Sequence, residues 1–274
     1  RRSSDLHEKA LAIAIEIGDR SIEGTAYVNL GNVFDSLGEY QKAKEYHEKA
    51  LAIKIEIGDR RGEGTAYVSL GSVFYSLGQY QKAKEYQEKA LAIAIEIGDR
   101  RGEGTAYVSL GSVFYSLGEY QKAKEYYEKA LAIAIEIGDR STEGTAYGNL
   151  GSVFDSLGEY QNAKEYHEKA LAIAIQIGDR STEGTAYGNL GSVFFSLGEY
   201  QNAKEYNEKA LAIAIEIGDR RGEGRTYGSL GSVFDSLGEY QNAKEYYEKA
   251  LAIAIEIGDR GGVGRTYGNL GSVF

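Results

Sequence analysis

The stretch Glu128–Arg140, EKALAIAIEIGDR, decides the fold. Its centre alternates small and large apolar residues from Ala130 to Ile135, which is how a half-buried strand reads. The residues before it settle the matter. Turned roughly 100° per residue, Tyr40, Ala43, Tyr46, Ala50, Ile53 and Ile57 of the equivalent stretch share one face, widened by Leu51 and Ile55. Gln41, Glu45, Glu48, Lys49 and Glu56 fall opposite. Alanine is the best helix former, and the lead-in EYQKAKEYHEKA has no strand character. The stretch is therefore a helix, and the alternation reflects its broad apolar side. A helix that apolar must pack against more than one neighbour.

The stretch is one half of a copied unit. Ile57-Gly58-Asp59-Arg60 returns at Ile97, Ile137, Ile177, Ile217 and Ile257, a period of 40 residues without a slip. Periods of about 20–50 residues mark solenoids and propellers, and helical periodicity selects the solenoid. The other half, Gly24 to Leu37, carries Tyr27, Leu30, Gly31, Val33, Phe34 and Leu37 on one face. Thr25, Val28, Asn29, Asn32, Asp35 and Ser36 make the other. Gly38 and Gly58 suit left-handed helix ends, and Asp59 can cap the following helix. Gly31 recurs mid-helix at Gly71, Gly111, Gly151, Gly191, Gly231 and Gly271, at about 1 kcal/mol against alanine each time, which implies a close helix approach. Glu45 and Lys49 make an i,i+4 pair on the wet side.

No linker divides the 274 residues. The chain reads as one quasi-linear domain over 1–274, with a half unit over 1–18 and a truncated half unit over 259–274. Full units run over 19–58, 59–98, 99–138, 139–178, 179–218 and 219–258.

These residues resemble the tetratricopeptide repeat, whose pattern W-x2-L-G-x2-Y, then A-x3-F, then P, has a period of about 34 residues. Tyr27-x2-Leu30-Gly31-x2-Phe34 follows its first helix with Tyr for Trp, and Gly38, Tyr40, Ala43, Ala50 and Leu51 follow its second. Two features depart. The large aromatic is Tyr46, one place early, with His47 in the expected slot, and AIEIGD replaces the closing Pro. The longer second helix is similar to the 40-residue variety of the Pins/LGN cell-polarity adaptors, as are NLGN at Asn29–Asn32 and GEGR at Gly222–Arg225. The resemblance implies an all-α, right-handed superhelical solenoid of antiparallel helix pairs. It implies a non-enzymatic scaffold that binds an extended or helical segment of a partner protein in a concave groove lined by the first helices.

Differences among the copies cluster on that lining. One column reads Asp35, Tyr75, Tyr115, Asp155, Phe195, Asp235. A second reads Val28, Val68, Val108, then Gly148, Gly188, Gly228, Gly268. A third alternates Asn29, Asn149, Asn189 and Asn269 with serine, and a fourth changes from threonine to Arg225 and Arg265. The expected groove therefore comprises Asn29, Asn32, Asp35, Val68, Tyr75, Val108, Tyr115, Asn149, Asp155, Asn189, Phe195, Arg225, Asp235 and Arg265. Val68, Tyr75, Val108 and Tyr115 would form an apolar, aromatic stretch of hot-spot character. The asparagines would hold an extended backbone, and the arginines would take acidic side chains. Some family members hold acidic C-terminal tails with paired Lys and Asn. The Lys column here is Val or Gly, which argues against that mode. A fifth column lies on the long helix: His47, Gln87, Tyr127, His167, Asn207, Tyr247.

Other chemistry is poorly supplied. A net charge of −10 lacks the basic stripe of a nucleic-acid surface and does not favour acidic membrane. No apolar run approaches the ~18 residues of a membrane span. The absence of Cys removes disulfides and thiol chemistry and suits a cytoplasmic setting. His7, His47 and His167 occupy equivalent slots in separate units, where rim or inter-repeat packing explains them better than a metal. GEGTAY has glycines at a helix start but no preceding strand and no P-loop lysine, so no cofactor is expected. No nucleophile–base pair is evident, and Glu45 and Glu48 lack an apolar pocket.

The terminal helices present unmatched faces. Leu6, Ala10, Ile13 and Ile17 lack a first-type helix before them, and Tyr267, Leu270, Val273 and Phe274 lack a long helix after them. A head-to-tail contact between copies would match the two, giving a homo-oligomer and a structural alternative to the adaptor reading. Asp5 and Glu8 offer a capping box at the first of these helices.

Overall fold

The structure, a computed structural model, describes residues 2–272. Among them are fourteen α-helices and no strand. A single long-type helix opens the chain, α1 (Arg2–Ile17). Pairs follow: α2 (Arg20–Ser36) with α3 (Tyr40–Glu56), α4 (Arg60–Ser76) with α5 (Tyr80–Glu96), and α6 (Arg100–Ser116) with α7 (Tyr120–Ile137). These helices form one compact unit, ending at Asp139. A second compact unit begins at Arg140. It holds α8 (Arg140–Ser156) with α9 (Tyr160–Ile177), α10 (Arg180–Ser196) with α11 (Tyr200–Ile217), α12 (Arg220–Ser236) with α13 (Tyr240–Glu256), and α14 (Arg260–Ser272).

Local chemistry sets these bounds. Gly38 and Gly58 hold φ of 73° and 71°, and the Glu39 and Asp59 amides reach back to the Phe34 and Lys54 carbonyls at 2.9 Å. Only glycine takes that conformation without strain. Asp59 then accepts a hydrogen bond from the Gly62 amide at 2.8 Å and so starts α4 at Arg60. The cap, more than the apolar pattern that begins near Gly24, sets the start of first-type helices, with Asp19, Asp99, Asp179, Asp219 and Asp259 repeating the contact. At the opening of the chain α1 already begins at Arg2, so Asp5 lies inside its first turn and not before it. The expected Asp5–Glu8 capping box is corrected accordingly.

Within each unit, each helix packs on the next, and successive first-type helices also touch, as in α2 with α4 and α10 with α12. The core is the same few side chains repeated. Leu30, Leu70, Leu110, Leu150, Leu190 and Leu230 are fully buried, with Ala43, Ala83 and their equivalents opposite. Tyr46 sits between Tyr27 and Phe34, with ring centroids 6.1 and 5.3 Å away. That explains the aromatic one place early: it fills the space between the two rings of its own first helix. The broad apolar face is not wholly buried, however. Ile55 is 52 % exposed, and so are its equivalents at similar levels.

Polar side chains tie the stack at its edges. Arg20 donates to Glu23 at 2.6 Å on its own helix and to Glu56 on α3, and Arg60, Arg100, Arg180 and Arg220 repeat the arrangement. Arg140 meets Gln176 in place of a glutamate, at 2.6 Å. The expected Glu–Lys pairing is seen at Glu165–Lys169 and Glu205–Lys209, both 2.6 Å, while Lys49 lies over the Tyr27 and Tyr46 rings.

Candidate functional site: clefts between first-type helices

Within each unit, two successive first-type helices form the walls of a cleft and the long helix between them forms its floor. In the first unit the walls are α4 (Gly64, Thr65, Val68) and α6 (Gly102, Thr105). Ala90, Ile93, Ala94 and Ile97 of α5 make an apolar floor, and the cavity is about 340 Å³. The Ala94 position is Lys54 one repeat earlier. Lys54 is buried there, with Nζ 2.9 Å from Asp59 Oδ2, so a locked cation occupies that floor.

The second unit holds such clefts as well. One lies between α10 and α12 over α11, about 160 Å³, and another between α12 and α14 over α13, about 370 Å³. The second is lined by Arg221, Arg225, Arg265 and Asn269. Arg265 lies 3.7 Å from Asp259, whereas Arg225 has no ion pair among the described residues. Val68 of the first unit and Asn189, Arg225 and Arg265 of the second thus line clefts.

The glycine column has a physical reading here. A Cβ on Gly188 would meet only Ala210 at 3.9 Å, one on Gly148 only Ala170 at 3.8 Å, and one on Gly228 nothing within 4 Å. Packing does not require glycine at these three positions. Each costs its helix about 1 kcal/mol against alanine, and Gly188 and Gly228 leave space on the walls of the clefts they line.

The remaining expected residues lie along the same helices. Asn29, Val108 and Asn149 are half-buried at the equivalent wall positions, and Asn32 is exposed. The aromatic column stands one turn further on, at the helix ends. The Tyr75 hydroxyl is 2.7 Å from Ser116 Oγ of the next first-type helix. The Tyr75, Tyr115 and Phe195 rings lie 5.3–5.4 Å from Tyr80, Tyr120 and Tyr200. These rings are engaged within the chain. Asp35, Asp155 and Asp235 are half-buried in the same column, and burial raises the carboxyl pKa of Asp35 and Asp155. Asp35 Oδ1 is buried without a hydrogen bond.

Sequence reasoning missed the place of the fifth column. His47, Gln87, Tyr127, His167, Asn207 and Tyr247 are all buried, each against the mid-helix glycine of its own pair. A Cβ on Gly31 would lie 2.4 Å from His47 Cε1, and one on Gly111 would lie 2.6 Å from Tyr127 Cε1. The tips reach the cleft walls from beneath. Gln87 Nε2 donates to the Val68 carbonyl at 3.2 Å, and the Tyr127 and Tyr247 hydroxyls donate to Ser112 and Ser232 Oγ at 3.1 Å. His47 and His167 are therefore packed inside their own helix pairs, not at a rim, and burial lowers each imidazole pKa to about 4. The signal available was the recurrent glycine on the facing helix. Among the described residues no three histidine, aspartate or glutamate side chains converge on a metal position.

At the terminal helices, Leu6, Ile13, Ile17 and Tyr267 are exposed and Ala10 and Leu270 half-buried. Ile13 is 57 % exposed where its equivalent Ile53 is 4 %. Val273 and Phe274 lie outside the described residues.

Stacked helix pairs that wall a cleft define a helical-repeat protein. The tetratricopeptide repeat family matches residues 2–56, 62–136, 102–176, 142–216 and 182–256, and the chain belongs to that family, here with 40-residue repeats. The family's class of work is protein-interaction scaffolding. No curated protein matches the chain. Among solved structures it is similar to BtubC (BKLC) from P. vanneervenii: 24 % identity, TM-score 0.69, 79 % of this chain and 91 % of that one. It is also similar to a STAND signal-transduction ATPase with a tetratricopeptide repeat sensor from Pyrococcus horikoshii. There the identity is 22 % and the TM-score 0.76, over 96 % of this chain but only 40 % of that one. A Rap protein complexed with competence and sporulation factor aligns at 18 % identity and TM-score 0.70, over 92 % of this chain and 75 % of that one. These likenesses concern the fold. No helix among the described residues is long and apolar enough to cross a membrane.

Proposed function

We propose that the clefts bind an extended or helical segment of a partner protein, and that the chain works as a non-catalytic adaptor. The observation that carries this is the glycine column. Gly148, Gly188 and Gly228 weaken their helices without a packing need, and Gly188 and Gly228 leave room on the walls of the clefts they line. The 40-residue register runs unbroken from residue 19 to residue 258. Val68, Ile93 and Ile97 give the first unit an apolar cleft for aliphatic side chains. Arg221, Arg225 and Arg265 give the last cleft of the second unit a positive wall for acidic ones. Asn29, Asn32, Val108 and Asn149 extend the wall, and Asn189 offers an amide to a ligand backbone. The aromatic column of Tyr75, Tyr115 and Phe195, with Asp35, Asp155 and Asp235, would form the edge.

The test is a display selection of peptides from disordered regions on the parent and on Arg225→Ala. Enrichment of acidic motifs by the parent, lost with the variant, supports the reading. A folded parent that enriches nothing overturns it.

A second reading rests on the terminal helices. Ile13 and Leu6 occupy core-type positions yet are exposed. We infer that a second copy of the chain, docked head to tail, covers this face. A constant monomer mass across a concentration series overturns that arrangement.

A further inference from the structure

The narrow cleft over α11 differs from those over α5 and α13 in one respect: its floor includes a residue of the buried column, Asn207. The clefts over α5 and α13 stop short of Gln87 and Tyr247. The pair α10–α11 is the one in which glycine on the wall, Gly188, coincides with a short side chain in that column. Elsewhere valine or glycine stands at the first position, and His, Gln or Tyr at the second. Both truncations open the same space.

The chemistry of that space is selective. Asn207 lines the cleft and is 2 % exposed, and its Nδ2 donates to the Ala203 carbonyl at 2.8 Å, which leaves Oδ1 free to accept. The hydroxyls of Thr185, Ser192, Thr226 and Ser229 each spend their proton on the carbonyl four residues back, at 2.9–3.3 Å, and so present lone pairs. The interior is rich in acceptors and asks for a donor. Asp219 and Arg225 line the cleft with opposite charges, which gives neither an anion nor a cation a net attraction. Asn189 at the wall supplies amide donors for an acceptor on the ligand.

We propose that this cleft is a socket for a neutral primary carboxamide, the side chain of an asparagine or glutamine in the bound segment. The ligand NH2 faces the Asn207 and hydroxyl acceptors, and its C=O faces the Asn189 amide. The socket deepens the peptide-adaptor reading and rests on it. The cavity of about 160 Å³ holds such a tip with no rearrangement of the helices.

The test uses propionamide, sodium propionate and propylammonium chloride as probes in saturation-transfer NMR. The proteins are the parent, Asn207→Tyr and Gly188→Val. Both substitutions install the residue found at the equivalent place in another repeat, so the variants keep the fold, checked by circular dichroism. Propionamide alone should gain signal with the parent, and lose it at least tenfold with either variant. Equal signal from propionate or propylammonium, or full signal with Asn207→Tyr, overturns the socket. A display selection on parent and Asn207→Tyr separates the two readings. Asn or Gln enriched at one peptide position only by the parent supports the socket. The same motif from both proteins sinks the socket and leaves the groove. Enrichment by neither sinks both.

Discussion

The Cα of Gly31 faces the imidazole of His47 so closely that a methyl group there would lie 2.4 Å from Cε1. The same relation joins Gly71 to Gln87, Gly151 to His167 and Gly231 to Tyr247. The invariant glycine is thus a seat for a variable side chain. Gly111→Ala should lower stability by about 1–3 kcal/mol through overpacking, against the ~1 kcal/mol that alanine adds to a helix. Urea unfolding gives the sign. In the pair Gly191→Ala/Asn207→Ala the added methyl loses its clashing partner, so most of the loss should return.

The two buried histidines predict acid sensitivity. Burial holds His47 and His167 near pKa 4, below the ordinary 6.5. Between those values the unfolded chain binds more protons than the folded one, so stability is complete above about pH 6.5 and falls as pH drops towards 4. His47→Gln/His167→Gln borrows the residue at Gln87 and should flatten that part of the profile. Asp35 and Asp155, whose raised carboxyl pKa acts in the opposite sense, are common to both proteins and cancel in the difference. Melting temperatures at pH 7 and pH 4.5 measure it, and equal slopes would refute the assignment.

Asp35 carries a buried oxygen with no hydrogen bond, at a position where Tyr75 packs tilted against Tyr80 and bonds Ser116. Asp35→Tyr has Tyr40 and Ser76 available in the same places. It should stabilise the chain by about 1–2 kcal/mol, the order of one relieved unsatisfied group and one aromatic pair. A lower urea midpoint would show that the carboxylate has a partner in solution.

Arg140 reaches Gln176 where every other described first-type helix with this contact reaches a glutamate. Gln176→Glu completes the ladder. The expected gain in melting temperature is small and should vanish in high salt, because the groups are exposed. A gain that survives 1 M salt would point to a different cause.

The architecture was legible because its determinants are local. Asp59 and Gly58 stop one helix and start the next, and Leu30, Ala43 and Ala50 keep a helical period. What stayed hidden depends on the partner helix. Ile55 looks like core in sequence yet faces solvent, since the neighbouring helices pack on the Ile53 side. His47 looks like surface yet is buried, since Gly31 opens a seat that only the facing helix reveals. The cleft wall was legible at Val68, Asn189, Arg225 and Arg265, from variation among otherwise identical copies. The engagement of Tyr75 with Tyr80 and Ser116 was not, because those contacts span a turn and a repeat.

The most direct measurement is calorimetric titration of a display-enriched peptide into the parent and into Gly148→Val/Gly188→Val/Gly228→Val. Valine stands at this position in three other repeats and fits each helix without a backbone clash. Cleft binding predicts at least a tenfold loss of affinity at unchanged or raised stability. Equal affinity in the two proteins would show that the peptide binds elsewhere, and would contradict the account.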